Sequence, residues 1–477
     1  LTFNRHNGAM TAVPPRLQRF FEPDSPTQQL VARLAARGHR AYLVGGSVRD
    51  ALLDREIVDV DITTDARPDE IEAAVRGWAD AVWLQGQRFG TVGSEKDGER
   101  FEITTFRADV YQPDSRKPQV TFSDDIVTDL SRRDFTVNAL ALALDRDAPE
   151  LVDPYGGLAD LAAKRLRTPL DAEISFTDDP LRMLRAARFV ATLGFEPDAD
   201  VVEQMHALRD RLQIISAERI RDELSKLLVA PDPTPGLWLV ARTGLSNEFL
   251  PEFNAMELEQ DPIHRHKDVL AHTIAVVAKT SPRLRIRLAA LLHDIGKPRT
   301  RGYGPQGVTF HHHEVVGARM ARERLVALRY PTELVDEVTK LVELHLRFHT
   351  YRMGWTDSAV RRYVRDAGDL LDDLNELTRC DCTTRDARKA AALGQRMDEL
   401  EARIEELQAE EELKRIRPPL DGNAVMRFLG IGPGPVVGEA LDYLLELRLD
   451  EGPIDEAEAY ERLAEWAAEQ GHTHSGK

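Results

Sequence analysis

Cysteine is almost absent from this 477-residue chain, which holds only Cys380 and Cys382. A disulfide between them would close a very small, strained loop, so the pair reads as two reduced thiols and a disulfide framework is excluded. Long apolar runs are lacking too. Stretches such as RLAALLHDIG fall well short of the roughly 20 residues a membrane helix needs, so no membrane partner is expected. The opening LTFNRHNGAMTAVPPRLQRFFEPDSP has no positively charged start followed by an apolar stretch; a secretory leader is not expected there, and a cytoplasmic location is. Residues 1–25 are Pro-rich and expected to be disordered, and Met10 is an alternative to Leu1 as the true start. Positive charge is in deficit, with a formal net charge of −18. Taken in bulk, that counts against a nucleic-acid binder, because phosphate attracts Lys and Arg. Locally the objection weakens. The stretch from Asp179 to Lys226 holds Arg182, Arg185, Arg188, Arg209, Arg211, Arg219, Arg221 and Lys226, while the acidic excess gathers after residue 395. Repulsion from a distant acidic tail is screened over about 8 Å at physiological salt, so a basic face is allowed.

At roughly 100–200 residues per domain, three or four domains are expected. Residues 26–160 alternate strand and helix signals. TQQLVARLAARG reads as an amphipathic helix ending at Gly38, RAYLVGG as a short strand and SVRDALLD as a helix. IVDVDITT alternates apolar and acidic residues, the period of a strand. FGTVGSEKDGERFEITTF reads as a hairpin around KDG. This is an α+β head built on a small mixed sheet. All-α segments follow: a neck over 161–260, a histidine-rich domain over 261–395 and a tail over 396–477. Nine of the 14 histidines fall between His264 and His349. A long charged helix is expected from about 387 to 414, its acidic face solvated. NAVMRFLGIGPGPVVGEALDYLLELRL reads as helix, Gly-Pro turn, helix, and that turn is either a plain connection or a site for an RNA phosphate.

Asp59 and Asp61 are one residue apart on a predicted strand, so both carboxylates point the same way, about 6.6 Å apart at the Cα atoms. Such a pair can bridge two hard cations about 3.5–4 Å apart. Fourteen residues earlier Gly45 and Gly46 end a strand where a helix starts, which lets backbone N–H groups approach a phosphate. Ser47 offers a hydrogen bond there and Arg49 a charge. Glu102 and Thr104 share a strand face, making Glu102 a candidate third acid.

LVGGSVRD, DVDI, DLSRRDFTVNALA, DPYGGLADL, DDPLRMLRAARF and ERIRDEL follow one another over about 200 residues. This run resembles the class II tRNA nucleotidyltransferase and bacterial poly(A) polymerase family. The resemblance implies a polymerase-β-like nucleotidyltransferase head. It implies Asp59 and Asp61 as catalytic Mg²⁺ ligands, and Gly46 and Arg49 on the triphosphate. Arg132, Arg133, Asp134 and Asn138 then meet ribose and phosphate. Asp179 and Arg182 match the family's base-selecting EDxxR motif, with Asp178 where Glu is usual. The chemistry of that pair stands by itself. An Asp accepts from an exocyclic amine and an Arg donates to ring and carbonyl acceptors, so the pair fits the Watson–Crick edges of C and A, not of G and U. Arg185 and Arg188 continue the stripe toward the phosphates. Between Glu102 and Asp125, FRADVYQPDSRKPQVTFSDD reads as a Gly-free polar loop. It resembles the flexible element that family members use to switch from C to A addition.

HKDVLAHT, LLHDIGKP, HHHEVVGA, LVELHLRFH and LTRCDCTTRD follow in order and resemble an HD phosphohydrolase domain. His272, His293, Asp294 and Asp381 match its ligands, and His313 and His345 match the extra ligands of dinuclear members. Mixed imidazole and carboxylate donors suit Ni, Mn, Zn or Fe better than Mg. The expected function is addition or repair of the 3′-terminal CCA of tRNA from CTP and ATP, with no obligatory protein partner. The alternatives are poly(A) polymerase, a metal phosphohydrolase whose head only binds RNA, and a non-catalytic RNA-binding protein.

Overall fold

The computed structural model describes residues 14–57, 59–112, 115–145, 149–258, 268–304, 307–350, 356–382, 387–410 and 416–472. It divides into two compact units, Leu1–Asn254 and Ala255–Lys477.

The first unit is built on a seven-stranded sheet. Its strands are β1 (Ala41–Val44), β2 (Val60–Thr64), β3 (Ala81–Trp83), β4 (Thr91–Lys96) and β5 (Glu99–Thr105). After the β6–β7 hairpin described below come β8 (Ala141–Ala143) and β9 (Leu151–Val152), and the spatial order is β3-β4-β5-β2-β1-β8-β9. The sheet is mixed, because β2 runs parallel to β5 while the other pairs are antiparallel. Asp97 and Gly98 both have positive φ, at 52° and 80°, and close β4 onto β5 in a two-residue turn of the expected hairpin.

The alternation is realised over residues 60–62. Val60 and Ile62 are buried in a core with Leu30, Leu34, Ile71, Val92, Phe101 and Ile103, so Asp61 between them faces the other way. Helices Pro26–Ala35 and Pro68–Val75 carry that core over one sheet face. Burial of such apolar area, at about 25 cal/mol per Å², fixes the register that aims the acids.

Two local expectations fail. Residues 14–25 are ordered: helix Pro15–Gln18 and the turn Arg19–Phe21 bury Leu17 and Phe20 in the head core, so two apolar anchors outweigh the proline content. Residues 1–13, with Met10, lie outside the described residues. The polar loop after Glu102 is instead a hairpin, β6 (Arg107–Gln112) and β7 (Ser115–Phe122). Its register slips between Val110 and Gln112, opposite the part of β7 that holds Pro118, which has no N–H for a ladder.

The neck stacks helices Leu181–Leu193, Ala217–Leu228 and Thr234–Arg242, with a short parallel pair β10 (Arg165–Leu166) and β11 (Glu196–Pro197) beside them. The second unit is helical, from Val269–Lys279 to Glu456–Glu469, and adds a hairpin, β12 (Arg301–Gly304) and β13 (Gly307–Phe310), to the expected all-α pattern. The long helix Ala387–Glu410 buries Met397, Leu400, Ile404 and Leu407 at helical spacing and turns its acids outward. The tail holds a third helix, Glu456–Glu469, whose Leu463 and Trp466 close a small core with Val425 and Leu444. Among the described residues no helix is long and apolar enough to cross a membrane.

Candidate active site and metal centre

Parallel pairing of β2 with β5 sets Asp61 beside Glu102, and Asp59 stands one residue before β2. Asp59 and Glu102 are exposed and Asp61 is half-buried. Burial pushes the Asp61 carboxyl up to about 6; Arg133 pulls it down, while Glu102 and Asp59 push it further up. Glu102 and Asp59 thus both press negative charge on Asp61, which a divalent cation would relieve.

The Gly-Gly turn wraps this acid. Gly45 has φ +67°, and a Cβ there would lie 2.9 Å from Arg133 Nη1 and 3.8 Å from Asp61 Oδ2. Only glycine fits both the backbone and the gap. A Cβ on Gly46 would meet Asp61 Oδ2 at 3.9 Å. Ser47 is used differently from the expected phosphate donor. Its buried hydroxyl donates to the Asp59 carbonyl at 3.0 Å and accepts from the Asp61 N–H at 3.1 Å, pinning the acid strand to the helix Gly46–Leu52.

The expected phosphate-binding arginines are each held by the protein. Arg49 is bidentate on Asp50 and donates to Asn138 Oδ1 at 2.6 Å. Asn138 donates to Asp134 at 2.8 Å, and Arg185 Nε donates to the other Asp134 oxygen at 2.8 Å. Burial works to raise the Asp134 carboxyl, yet Arg185 and Asn138 hold it well below the usual carboxylate range. Arg185 and Arg188 both reach Glu223, at 3.5 and 2.7 Å. Arg132 and Arg133 share the fully buried Asp129. Phe189 lies under three guanidinium groups, of Arg49, Arg185 and Arg188, at 5.2, 5.6 and 4.2 Å.

Asp179 and Arg182 share no side-chain hydrogen bond. Asp179 caps the Leu181 N–H and pairs with Arg219 at 3.0 Å. Arg182 is buried, donating to Ser175 Oγ at 2.9 Å and to the Arg132 carbonyl. Sequence reading missed Asp50, Asp129, Arg219, Glu223 and Phe189 as partners. Asp50 beside Arg49, Asp129 three and four residues before its arginines, and Phe189 four residues after Arg185 carried local signals; Arg219 and Glu223 carried none.

In the second unit all six expected residues converge. His293, His313 and His345 each donate Nδ1–H to a backbone carbonyl, of Ala290, Phe310 and Val342, at 2.8, 2.8 and 2.6 Å. A carbonyl only accepts, so Nδ1 carries the proton and Nε2 faces the centre. His272 Nε2 lies 2.8 Å from Asp381 Oδ1 and 3.3 Å from His293 Nε2. The donor atoms of His272, His293 and Asp294 lie within 4.8 Å of one another, as do those of Asp294, His313 and His345. Asp294 thus belongs to two adjoining donor sets. The Nε2 atoms of His313 and His345 are buried and make no hydrogen bond. Burial works against ionising Asp294 and Asp381, yet His293 and Lys297 hold the first, and His272 and His293 the second, well below the usual range. Orphaned imidazole nitrogens facing buried carboxylates fit a divalent metal. Lys297, not anticipated, donates to Asp294 Oδ2 at 2.7 Å.

An acid-bearing strand beside a Gly-Gly turn, followed by a histidine–aspartate cluster in a helical unit, defines a nucleotidyltransferase head with an HD centre. Residues 41–167 match the family described as "Poly A polymerase head domain". Residues 194–257 match "Probable RNA and SrmB- binding site of polymerase A" and residues 269–404 "HD domain". The A-adding tRNA nucleotidyltransferase of Deinococcus radiodurans is 37% identical over 445 residues, 90% of this chain and 96% of its own length. A CCA-adding enzyme of Streptococcus pyogenes is 32% identical over 435 residues, covering 89% of this chain and 92% of its own. The structure of the Bacillus stearothermophilus CCA-adding enzyme in complex with CTP superimposes with a TM-score of 0.69 at 26% identity, covering 96% of this chain and 99% of that one. The chain belongs to the tRNA nucleotidyltransferase and bacterial poly(A) polymerase family, with a C-terminal HD domain.

Proposed function

We propose that this chain adds or repairs the 3′-terminal CCA of tRNA, joining CTP and ATP to the RNA 3′-hydroxyl with release of pyrophosphate and without a nucleic-acid template. One observation supports the reading: Asp61 pairs beside Glu102 and feels the charge of Asp59, in a chain 37% identical, over 90% of its length, to a tRNA nucleotidyltransferase. Those three acids would hold magnesium, which when bound lowers the pKa of the attacking hydroxyl and neutralises the triphosphate. The open Gly45–Gly46 turn admits the triphosphate beside Asp61. Arg49, Arg132, Arg133, Asp134 and Asn138 frame ribose and phosphates, each cation fixed in advance by its carboxylate or amide. Asp179 and Arg182 read the base edge, with Arg185 and Arg188 behind them. The working division is 26–160 for catalysis, 161–260 for base selection and RNA, 261–395 for the HD centre and 396–477 for the tail.

Incubation of the full chain and Mg²⁺ with tRNA ending at the discriminator base tests this. CTP alone should add two residues and CTP with ATP three, while GTP and UTP add none. Long tracts from ATP alone would transfer the reading to poly(A) polymerase. A second reading, addition of the terminal A alone, draws on the A-adding Deinococcus relative; under it only tRNA already ending in CC is extended.

For the HD centre the proposal is a phosphohydrolase acting on RNA ends or nucleotides with a transition metal such as Ni, Mn, Zn or Fe. Metal analysis with a 2′,3′-cyclic nucleotide assay tests it, and the absence of both metal and turnover would retire it.

A further inference from the structure

Between the ligands Asp294 and His313 the chain passes through the short helix Lys297–Thr300 and the hairpin β12–β13. In a chain of net charge −18, residues 295–313 contain Lys297, Arg299 and Arg301 and no acid. Both ends of this segment are fixed beside the centre. Lys297 is bonded to Asp294 and lies 5.7 Å from the Phe310 ring. Gly296 is packed so closely on the start of the next helix that a Cβ would fall 2.2 Å from the His313 carbonyl oxygen. The outer part of the hairpin points an aromatic ring at water. Tyr303 is 77% exposed, the highest value among the exposed large apolar side chains of the described residues, and the Arg301 guanidinium sits 5.5 Å from its ring. An exposed ring buries no core, so the fold does not account for it. A ring and adjoining arginines beside a phosphate-ester centre are the chemistry that recognises single-stranded RNA: stacking on a base and charge on the backbone.

We propose that β12–β13 is an RNA-binding arm of the HD centre. Tyr303 stacks on a nucleobase near an RNA end while Arg299 and Arg301 take the adjoining phosphates. This rests on reading the histidine–aspartate cluster as a metal centre, and it makes oligonucleotide ends the preferred substrate class of that centre. An acidic peptide, the competing occupant, would use the cations and leave the ring idle.

The test uses the full chain and a short single-stranded RNA carrying 5-iodouridine beside its 3′ end, irradiated and mapped by mass spectrometry. The crosslink should fall on Tyr303, persist in Tyr303→Phe and drop on the order of tenfold in Tyr303→Ala, with crosslinks in Leu1–Asn254 unchanged. Arg301→Glu should weaken it, and unlabelled RNA should compete where poly-glutamate does not. Crosslinks confined to Leu1–Asn254, or displacement by poly-glutamate as effective as by RNA, would overturn the arm. Hydrolysis of p-nitrophenyl phosphate and metal content, measured on the same variants, separate the two readings. Wild type without metal or hydrolysis but with the crosslink retires only the metal reading. Metal and hydrolysis without the crosslink retire only the arm.

Discussion

The two candidate centres solve opposite problems. In the head, Asp59 and Glu102 are exposed, Asp61 is half-buried and each nearby arginine is tied to a carboxylate or amide of the fold. In the HD unit, His293, Asp294, His313 and His345 are almost wholly buried, and backbone carbonyls aim the imidazoles. The first is an open oxygen face suited to ions that arrive with a nucleotide. The second is a closed nitrogen-and-oxygen cage suited to an ion that stays. What differs is where the counter-charge comes from: carboxylates of head and neck that pair the arginines in one case, the ligands themselves in the other.

The largest effect should separate the centres outright. Asp61→Ala should lower nucleotide incorporation at least 10³-fold, read on tRNA by gel, and leave the metal content of the HD unit unchanged. Equal loss in both would break the comparison. Asp294→Ala should do the reverse: it removes the residue shared by both donor sets, so bound transition metal should vanish by elemental analysis while incorporation stays within about twofold.

Next in size is the neck. Glu223→Gln leaves Arg185 and Arg188 without their shared charge and should cost about 1–3 kcal/mol, seen as a lower thermal midpoint, with a rise in KM for nucleotide. Asp134 gives a pH signature. Its folded pKa is depressed, so its stabilisation is present above the unfolded value of about 3.9 and is lost as pH falls below that. Asp134→Asn should therefore be less stable at pH 7 and lose less on acidification, followed by circular dichroism. The smallest effect should come from Ser47→Ala. It deletes two hydrogen bonds that pin the acid strand, and should cost about 1–2 kcal/mol with a modest drop in kcat. A drop in nucleotide affinity without any stability change would restore Ser47 as a phosphate donor.

Local pattern carried much of this into view. Alternation of apolar and acidic residues foretold that Asp61 turns away from the core that takes Val60 and Ile62, and the KDG turn foretold β4–β5. Resemblance to an HD domain foretold which six histidines and aspartates converge. What escaped was tertiary. Glu223 meets its arginines from a different helix, and Asp129 looks like one more surface acid until burial makes it the anchor of Arg132 and Arg133. The β6–β7 hairpin hid behind two prolines. Leu17 and Phe20 were masked by proline-rich surroundings, and the tail's third helix by its acidic composition.

The central claim is that Asp59 and Asp61, on one face beside Glu102, gather divalent ions around a nucleoside triphosphate. Crystals grown with Mn²⁺ and a non-hydrolysable CTP analogue test it most directly through anomalous scattering. The account predicts manganese peaks coordinated by both aspartates and touching the triphosphate. Peaks elsewhere, or the two side chains turned to opposite sides of the strand, would contradict it.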